Sequence, residues 1–207
     1  MTRLMIPISK RLSPSRLFAL AILLVAGAVF SAGVFAAGKT TPLPADSLYQ
    51  LTLPLTNQDG ITADWRSRRG KPQLVAMFYT SCKFICPLIV DSGKAIEHQL
   101  DANQQKKLGI LLISMDPKRD DPKALTVIVD KRKLDTTRWT LASPRQDDVR
   151  TVAGLLGIRY RLLADGEFNH SSALILLDAN GRIIARTEKM GTQPDPEFVA
   201  AVKKALR

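Results

Sequence analysis

Cysteine and histidine are scarce in this sequence of 207 residues, which contains only two of each. Any thiol chemistry must therefore use Cys82 and Cys86, which stand four residues apart. Any imidazole must come from His98 or His170. Internal repeats and low-complexity tracts are also absent, which excludes a repeat architecture.

Acidic residues are fewer than basic ones, 19 against 30, so the chain has a net charge of +11. Four of the 30 basic residues and none of the 19 acidic ones lie before residue 39, so the remainder has a net charge of +7. No run of basic residues alternates with aromatic ones, and nucleic acid is not an expected partner. An ordinary basic surface is the simplest interpretation, and attraction to anionic lipid or to an acidic partner is the alternative.

Charged residues are missing from a long stretch near the N-terminus. Residues 17–38 form an uncharged, mostly apolar run, and the sequence before it contains four basic residues and no acidic one. This pattern predicts an export signal at residues 1–38, as either a cleaved signal peptide or a retained N-terminal membrane anchor. The rest of the chain is then expected in the periplasm of a bacterium, or at the periplasmic face of the inner membrane if anchored. We expect a linker at residues 39–47 and one domain at residues 48–207.

The remaining sequence alternates between strand and helix patterns. Apolar runs of strand length predict buried strands, and Asn180-Gly181 predicts the turn of a β-hairpin. The predicted strands are residues 73–79, 110–115, 139–142, 159–162, 173–177 and 182–187, and the predicted helices are residues 87–104, 122–134, 147–156 and 195–206. A β-α-β half followed by a hairpin and a terminal helix is typical of an α/β fold of the thioredoxin-like type, with helices on both faces of a mixed sheet.

Both cysteines directly follow the first buried strand, in the segment Ser81-Cys82-Lys83-Phe84-Ile85-Cys86-Pro87. Residues at i and i+4 in a helix share a face, with Cβ atoms about 5–6 Å apart, so the pair could chelate a soft metal ion or form a disulfide. The carboxyl ends of parallel strands meet at one edge of a sheet, where ligands bind. Because Asp116 and Asp120 follow the next buried strand, we expect them at the same edge as Cys82.

Few ligands are available for a metal ion. Thiolates select soft ions, and copper is favoured over zinc in an oxidising compartment. His98 lies twelve residues beyond Cys86 on the same predicted helix, roughly 18 Å along its axis, so it cannot complete a site with the cysteines. His170 is predicted in a loop before a strand, from where it could face the cysteine segment. Two thiolates and this imidazole would give a trigonal or open tetragonal site suited to copper.

Other interpretations of these residues stay open. The cysteine pair could be a structural disulfide, although closing so short a loop constrains the unfolded chain little, and His170 could be an ordinary hydrogen-bonding residue. The pair could also be catalytic, because in a thiol-disulfide reductase Cys82 would attack a substrate disulfide and Cys86 would resolve the mixed disulfide. Peroxide reduction would need threonine or arginine side chains around the reactive cysteine, and Thr80 alone does not supply them.

Three motifs together carry a resemblance to a known family. They are Phe78-Tyr79-Thr80-Ser81-Cys82-Lys83-Phe84-Ile85-Cys86-Pro87, Ser114-Met115-Asp116-Pro117-Lys118-Arg119-Asp120-Asp121-Pro122 and Asn169-His170-Ser171. With these motifs in this order, the chain closely resembles the Sco/SenC family over its exported part. The resemblance implies a thioredoxin-like, usually membrane-tethered protein that binds one copper ion, Cu(I) or Cu(II), through Cys82, Cys86 and His170. It also implies a role in building the binuclear copper centre of cytochrome c oxidase, by delivering copper or by reducing the cysteines of an oxidase subunit.

The resemblance also bears on the residues around these candidate ligands. Asp116 and Asp120 match the acidic motif of the family, which implies that they support the metal site or dock a partner. This chain has Lys83 where the family often has proline, and Asn169 where it often has aspartate. Lys83 would favour the thiolate form of a cysteine, and Asn169 removes a carboxylate that could orient the imidazole. The implied partners are the membrane and a copper-acceptor subunit of cytochrome c oxidase or another copper enzyme.

Overall fold

The computed structural model describes residues 42–82 and 85–207, except for the side chains of Ile85 and Cys86. Pro42–Arg207 form one compact unit. The predicted export signal, residues 1–38, lies outside the described residues. Across the residues that are described, no helix combines the length and the apolar character that crossing a bilayer requires.

Short strands and helices alternate along the described part of the chain. The strands are β1 (Pro54–Asn57), β2 (Thr62–Asp64), β3 (Gln73–Phe78), β4 (Gly109–Ser114), β5 (Trp139–Pro144), β6 (Tyr160–Leu162), β7 (Phe168–His170), β8 (Leu174–Leu177) and β9 (Ile183–Thr187). The α-helices are α1 (Ile85–His98), α2 (Ala102–Lys107), α3 (Pro122–Arg132), α4 (Val149–Leu155) and α5 (Pro196–Ala205). Single 3-10 turns occupy Leu48–Gln50, Trp65–Arg68 and Gln146–Asp148.

Seven of these strands form one mixed sheet in the order β2-β1-β5-β4-β3-β8-β9. Its centre is parallel, because β4 pairs in parallel with both β3 and β5. The remaining pairs in this sheet are antiparallel. Strands β6 and β7 form a separate antiparallel pair. The predicted mixed α/β sheet is therefore confirmed, and it is consistent with the thioredoxin-like arrangement.

The core is built around β3 and β4, in which every residue is buried. Because side chains of a strand alternate between the two faces of its sheet, this burial means that both faces of the sheet centre are covered. The two parallel connections through α1 and α3 place these helices on the same face, since such crossovers are right-handed. Asp91 of α1 and Arg132 of α3 form an ion pair across that face.

The prediction of one helix over residues 87–104 is wrong in its extent. Helix α1 ends at His98, and α2 begins at Ala102. The Asp101 carboxylate accepts hydrogen bonds from the backbone N–H groups of Asn103 and Gln104, while the Gln104 side chain accepts one from the Asp101 N–H. This capping box starts a new helix, although the apolar spacing continues across the break.

The β1–β2 hairpin was not among the predicted strands. Its turn is closed by the Asn57 side chain, which accepts hydrogen bonds from the N–H groups of Asp59 and Ile61. Gly60 has φ of +76°, a conformation that glycine adopts without strain. Asp59-Gly60 is therefore the sequence signal for this hairpin. The signal was missed because the strands on either side of the turn are short.

Gly93 of α1 is the point where this helix meets the indole ring of Trp139. A Cβ atom at Gly93 would lie 2.5 Å from that ring, which is buried and donates a hydrogen bond to Glu97. We expect Gly93→Ala to lower the free energy of unfolding by about 1–3 kcal/mol, because either the helix or the buried indole ring would have to shift to accommodate the methyl group. The matched control is Gly154→Ala in α4, where the added Cβ meets open space; it should be neutral or stabilising by up to ~1 kcal/mol. Urea denaturation compares the two, and equal stabilities would contradict the prediction.

Candidate functional site

Cys82 lies just beyond the end of β3, at the edge of the sheet where the parallel strands end. Its N–H donates to the Tyr79 carbonyl, which turns the chain away from the strand, and its side chain is 9% exposed. A cavity of about 500 Å³ opens beside Cys82, between the end of β3 and helices α1 and α3. The lining is mostly apolar, and Lys131 and Arg132 add positive charge. A group of a partner could reach this cysteine through the cavity.

Asp120 joins the ends of β3 and β4 from inside the protein. Its carboxylate accepts hydrogen bonds from the Thr80 N–H (3.2 Å), the Thr80 hydroxyl (2.5 Å) and the Ser114 hydroxyl (2.5 Å). The residue is 1% exposed, and burial raises the pKa of the carboxyl above its ordinary value, with these hydrogen bonds acting in the opposite direction. The prediction that Asp120 and Cys82 share one edge of the sheet is confirmed, since Thr80 is two residues from Cys82.

His170 is the last residue of β7 and not a loop residue, which corrects the prediction for its position. Its Nδ1 lies 3.0 Å from the Ser171 carbonyl oxygen. Because a carbonyl can only accept, Nδ1 is the donor, and in the neutral imidazole the lone pair is then on Nε2. Nε2 is buried and has no hydrogen-bond partner among the described residues. A buried lone pair without a donor is unusual, and it is what a metal ligand requires.

Tyr79 links the cysteine and the histidine. It hydrogen-bonds with Cys82, and its ring lies edge-on to the His170 imidazole with 5.7 Å between the ring centroids. Its hydroxyl donates to the Glu167 carboxylate at 3.0 Å. Burial, followed by the hydrogen bonds with Glu167 and Cys82, raises the pKa of Tyr79. The sequence gives no sign of this role for Tyr79, because the residue simply ends the apolar run that predicts the strand.

Asp116 lies at the same edge and is aimed at Arg119. Its backbone N–H donates to the Ser114 hydroxyl, and its carboxylate accepts from the Arg119 guanidinium. Arg119 also donates to the Gly166 carbonyl oxygen at 2.7 Å, in the turn between β6 and β7. Asp116 and Asp120 therefore both support the end of the sheet, but through different partners.

The structure brings Cys82, His170 and Asp120 to one region and leaves His98 elsewhere. His98 is the last residue of α1, is exposed, and lies in a polar depression with Lys94 and Glu97. The Cys86 side chain lies outside the described residues, and within them no three His, Cys, Asp or Glu side chains form a metal-binding group. The ligand set Cys82, Cys86 and His170 stays a prediction.

The family described as SCO1/SenC matches residues 45–207, nearly the whole part of the chain that the structure describes. The chain belongs to the SCO1/SenC family. A curated relative, the SCO1 protein homolog of Bacillus subtilis (strain 168), is 24% identical over 152 residues, which cover 72% of this chain and 78% of the relative.

Solved structures of Sco proteins share the fold. Bradyrhizobium japonicum ScoI with copper bound has a TM-score of 0.61 and 23% identity, covering 75% of this chain and 98% of ScoI. A second structure is that of BsSco, a member of the Sco family of cytochrome c oxidase assembly proteins in which a disulfide switch has been identified. It has a TM-score of 0.62 and 22% identity, covering 75% of this chain and 92% of BsSco. At these identities the likeness shows the fold alone.

Asn169 does not orient the imidazole in this SCO1/SenC protein. Successive side chains of a strand point to opposite faces, and Asn169 is exposed while His170 is partly buried. The ring is held instead by the Ser171 carbonyl, with the Ser172 hydroxyl 3.5 Å from the same Nδ1. The departure at position 169 therefore leaves the ring orientation intact. The other departure, Lys83, lies outside the described residues.

Asp120→Asn tests how far the site depends on the buried carboxylate. The amide cannot accept all three hydrogen bonds, so we expect a loss of about 1–3 kcal/mol in the free energy of unfolding at neutral pH. Because the folded-state pKa of Asp120 is raised, the folded wild type takes up a proton before the unfolded chain does. The stability difference between wild type and variant should therefore widen as pH falls toward the ordinary carboxyl range and level off below it.

Denaturation curves at several pH values measure both effects, with Asp121→Asn as the matched control. Asp121 is the exposed N-cap of α3 and accepts from the Ala124 N–H. Asparagine caps helices about as well as aspartate, so this variant should change stability by less than about 0.5 kcal/mol. A stability difference for Asp120→Asn that shrinks on acidification would contradict the assigned direction.

Proposed function

We propose that this SCO1/SenC protein binds one copper ion through Cys82, Cys86 and His170. The observation that carries the proposal is the buried Nε2 atom of His170, which has no hydrogen-bond partner among the described residues. Two arrangements would have explained this histidine without a metal: a ring exposed to water, or a ring with hydrogen bonds at both nitrogens. Neither describes His170, because its Nδ1 is bonded and its Nε2 is buried.

The donor set suits copper chemically. Thiolate sulfur and imidazole nitrogen are ligands that copper accepts in both oxidation states, and a set of three leaves a coordination position open. The Ser171 carbonyl accepts from Nδ1, so in the neutral imidazole the lone pair is on Nε2, the atom that would ligate the metal. Copper is here the cargo of the protein, and the open position is where the thiolate of an acceptor enters during transfer.

The proposed destination of the copper is the binuclear centre of cytochrome c oxidase. Bradyrhizobium japonicum ScoI has been crystallised with copper bound, and BsSco is described as a member of a family of cytochrome c oxidase assembly proteins. The copper-acceptor subunit of that oxidase, or another copper enzyme, is the partner. Residues 1–38 would export the chain, and retained as an anchor they would hold the domain at the periplasmic face of the inner membrane.

A thiol-disulfide oxidoreductase is the second candidate. Cys82 follows the end of a buried strand and lines an open cavity, and a disulfide switch is described for BsSco. The Cys82 thiolate would attack a disulfide of the acceptor and release one acceptor thiolate. The Cys86 thiolate would then attack the Cys82 sulfur and release the second, so the protein pair is oxidised while the acceptor is reduced. The histidine has no part in this sequence.

Copper titration of the reduced protein tests the first candidate. We expect one copper per chain, with sulfur-to-copper absorption that disappears in the Cys82→Ala/Cys86→Ala variant. His170→Ala should weaken binding by more than about 100-fold, because losing a ligand exceeds the 10–100-fold effect of losing a residue that only supports one. His98→Ala, the matched control at the other histidine, should bind as the wild type does. Full copper affinity in His170→Ala would exclude the three-ligand site.

The same variants distinguish the two candidates by thiol chemistry. We expect His170→Ala to reduce an aromatic disulfide reagent within about twofold of the wild-type rate, because exchange needs only the two sulfurs. The double cysteine variant should be inactive. If wild-type protein binds copper weakly or without fixed stoichiometry and yet exchanges disulfides rapidly, the oxidoreductase is the better description. A large loss of exchange in His170→Ala would instead place the imidazole in the thiol reaction.

A further inference from the structure

The candidate ligand His170 is carried by a hairpin that is separate from the main sheet. Strands β6 and β7 pair with each other and with no strand of the seven-stranded sheet. A two-stranded hairpin is marginally stable by itself. The position of the imidazole relative to Cys82 therefore depends on side-chain contacts that attach this hairpin to the rest of the domain.

Arg119 makes several of these contacts from the connection between β4 and α3. Its guanidinium donates to the Gly166 carbonyl oxygen at 2.7 Å, lies 3.7 Å from a Glu167 carboxylate oxygen, and is 6.0 Å from the centroid of the Phe168 ring. Gly166, Glu167 and Phe168 are consecutive and run from the turn into β7, which ends two residues later at His170. One side chain thus holds the segment that leads to the imidazole.

Asp116 sets the direction of the Arg119 side chain. Its carboxylate accepts from the guanidinium, and its own backbone N–H donates to the Ser114 hydroxyl at the end of β4. A planar guanidinium that is fixed by one carboxylate presents its remaining N–H groups in a defined direction. The hairpin is thereby tied to the end of β4, beside the strand end that leads to Cys82.

The hydrogen bonds of Arg119 matter more than its charge. The side chain is 41% exposed and so is Glu167, and an ion pair at such exposure contributes little. The contacts to Asp116 and Gly166 are hydrogen bonds from a charged donor, which are stronger than neutral ones. Tyr79 provides a second attachment through the Glu167 carboxylate and the Phe168 N–H. Loss of Arg119 alone should therefore loosen the hairpin without unfolding the domain.

We propose that Arg119, aimed by Asp116, is a positioning residue that holds the β6–β7 hairpin and thereby His170 against the end of the sheet that carries Cys82. The proposal rests on the proposed function in one respect, the copper ligation by His170. It gives the motif from Asp116 to Asp120 two separate tasks. Asp120 fixes the strand ends, and Asp116 with Arg119 fixes the hairpin.

The matched control for Arg119 is Arg186. Like Arg119, it donates to backbone carbonyl oxygen and pairs with a carboxylate. Its carbonyl partners are Leu156 and Gly157, and its carboxylate partner is Glu188. These contacts attach the end of α4 to β9 and involve neither β7 nor the turn before it. Arg119→Gln and Arg186→Gln therefore remove the same kinds of bond from different segments.

Hydrogen exchange of the copper-free protein provides the first test. We expect Arg119→Gln to accelerate amide exchange across residues 160–170 by about tenfold, because losing these hydrogen bonds reduces the free-energy difference between the closed and the locally open hairpin. Arg186→Gln should leave these amides unchanged. Arg119→Lys keeps the charge but cannot donate to Asp116 and Gly166 with the same geometry, so its exchange should be intermediate. Exchange in Arg119→Gln equal to that of the wild type would overturn the proposal.

Copper titration provides the second test. Arg119→Gln should raise the copper Kd by about tenfold and move the sulfur-to-copper absorption toward that of His170→Ala, because a looser hairpin pays more ordering entropy on ligation. Its disulfide-exchange rate should stay within about twofold of wild type, since the sulfurs lie on another segment. An unchanged Kd and spectrum would overturn the proposal. If the wild type itself bound no copper, the proposed function would fail, and hydrogen exchange would still decide the role of Arg119.

Discussion

The buried carboxylate of Asp120 is the constraint on which this site depends. Two parallel strands end side by side, and Met115 donates the last backbone hydrogen bond between them to the Phe78 carbonyl. Beyond that point the sheet cannot order the chain, yet the cysteine segment begins there. Asp120 replaces the missing strand contacts, because its two oxygens accept from Thr80 on one strand end and from Ser114 on the other. An apolar residue could not hold both ends.

The Ser114 hydroxyl extends this constraint into a longer network. It donates to Asp120 and accepts from the backbone of Asp116, whose carboxylate in turn fixes Arg119. Arg119 reaches the hairpin turn, and Tyr79 returns from the hairpin to the strand that leads to Cys82. Hydrogen bonds that polarise one another in a buried region stabilise more together than separately. The segments that carry the candidate ligands Cys82 and His170 are thus held by polar contacts at their base, with the apolar core beneath.

The parts of this structure that the sequence predicted are those with local signals. Continuous apolar runs located β3 and β4, Asp121-Pro122 located the start of α3, and Asn180-Gly181 located the β8–β9 turn. The strand predicted at residues 159–162 corresponds to β6, but its partner β7 was not predicted. Three residues are too short to show a period, and the stability of β7 comes from side chains distant in sequence. Tyr79 and Arg119 were assigned no role for a related reason, since their partners in the β6–β7 hairpin lie more than 40 residues away.

In the proposed copper site the ligands are divided between two segments, and this division would allow one site to serve two kinds of chemistry. Cys82 lies in the connection between β3 and α1, and Cys86 lies in the first turn of α1, so disulfide exchange would need only that segment to be ordered. Copper ligation as proposed would add an imidazole from a hairpin that is attached by side chains, and single substitutions of those side chains would change how firmly the imidazole is held. With this architecture, a substitution that changes how firmly the hairpin is held would alter copper binding more than thiol chemistry, while every proposed ligand stays in place.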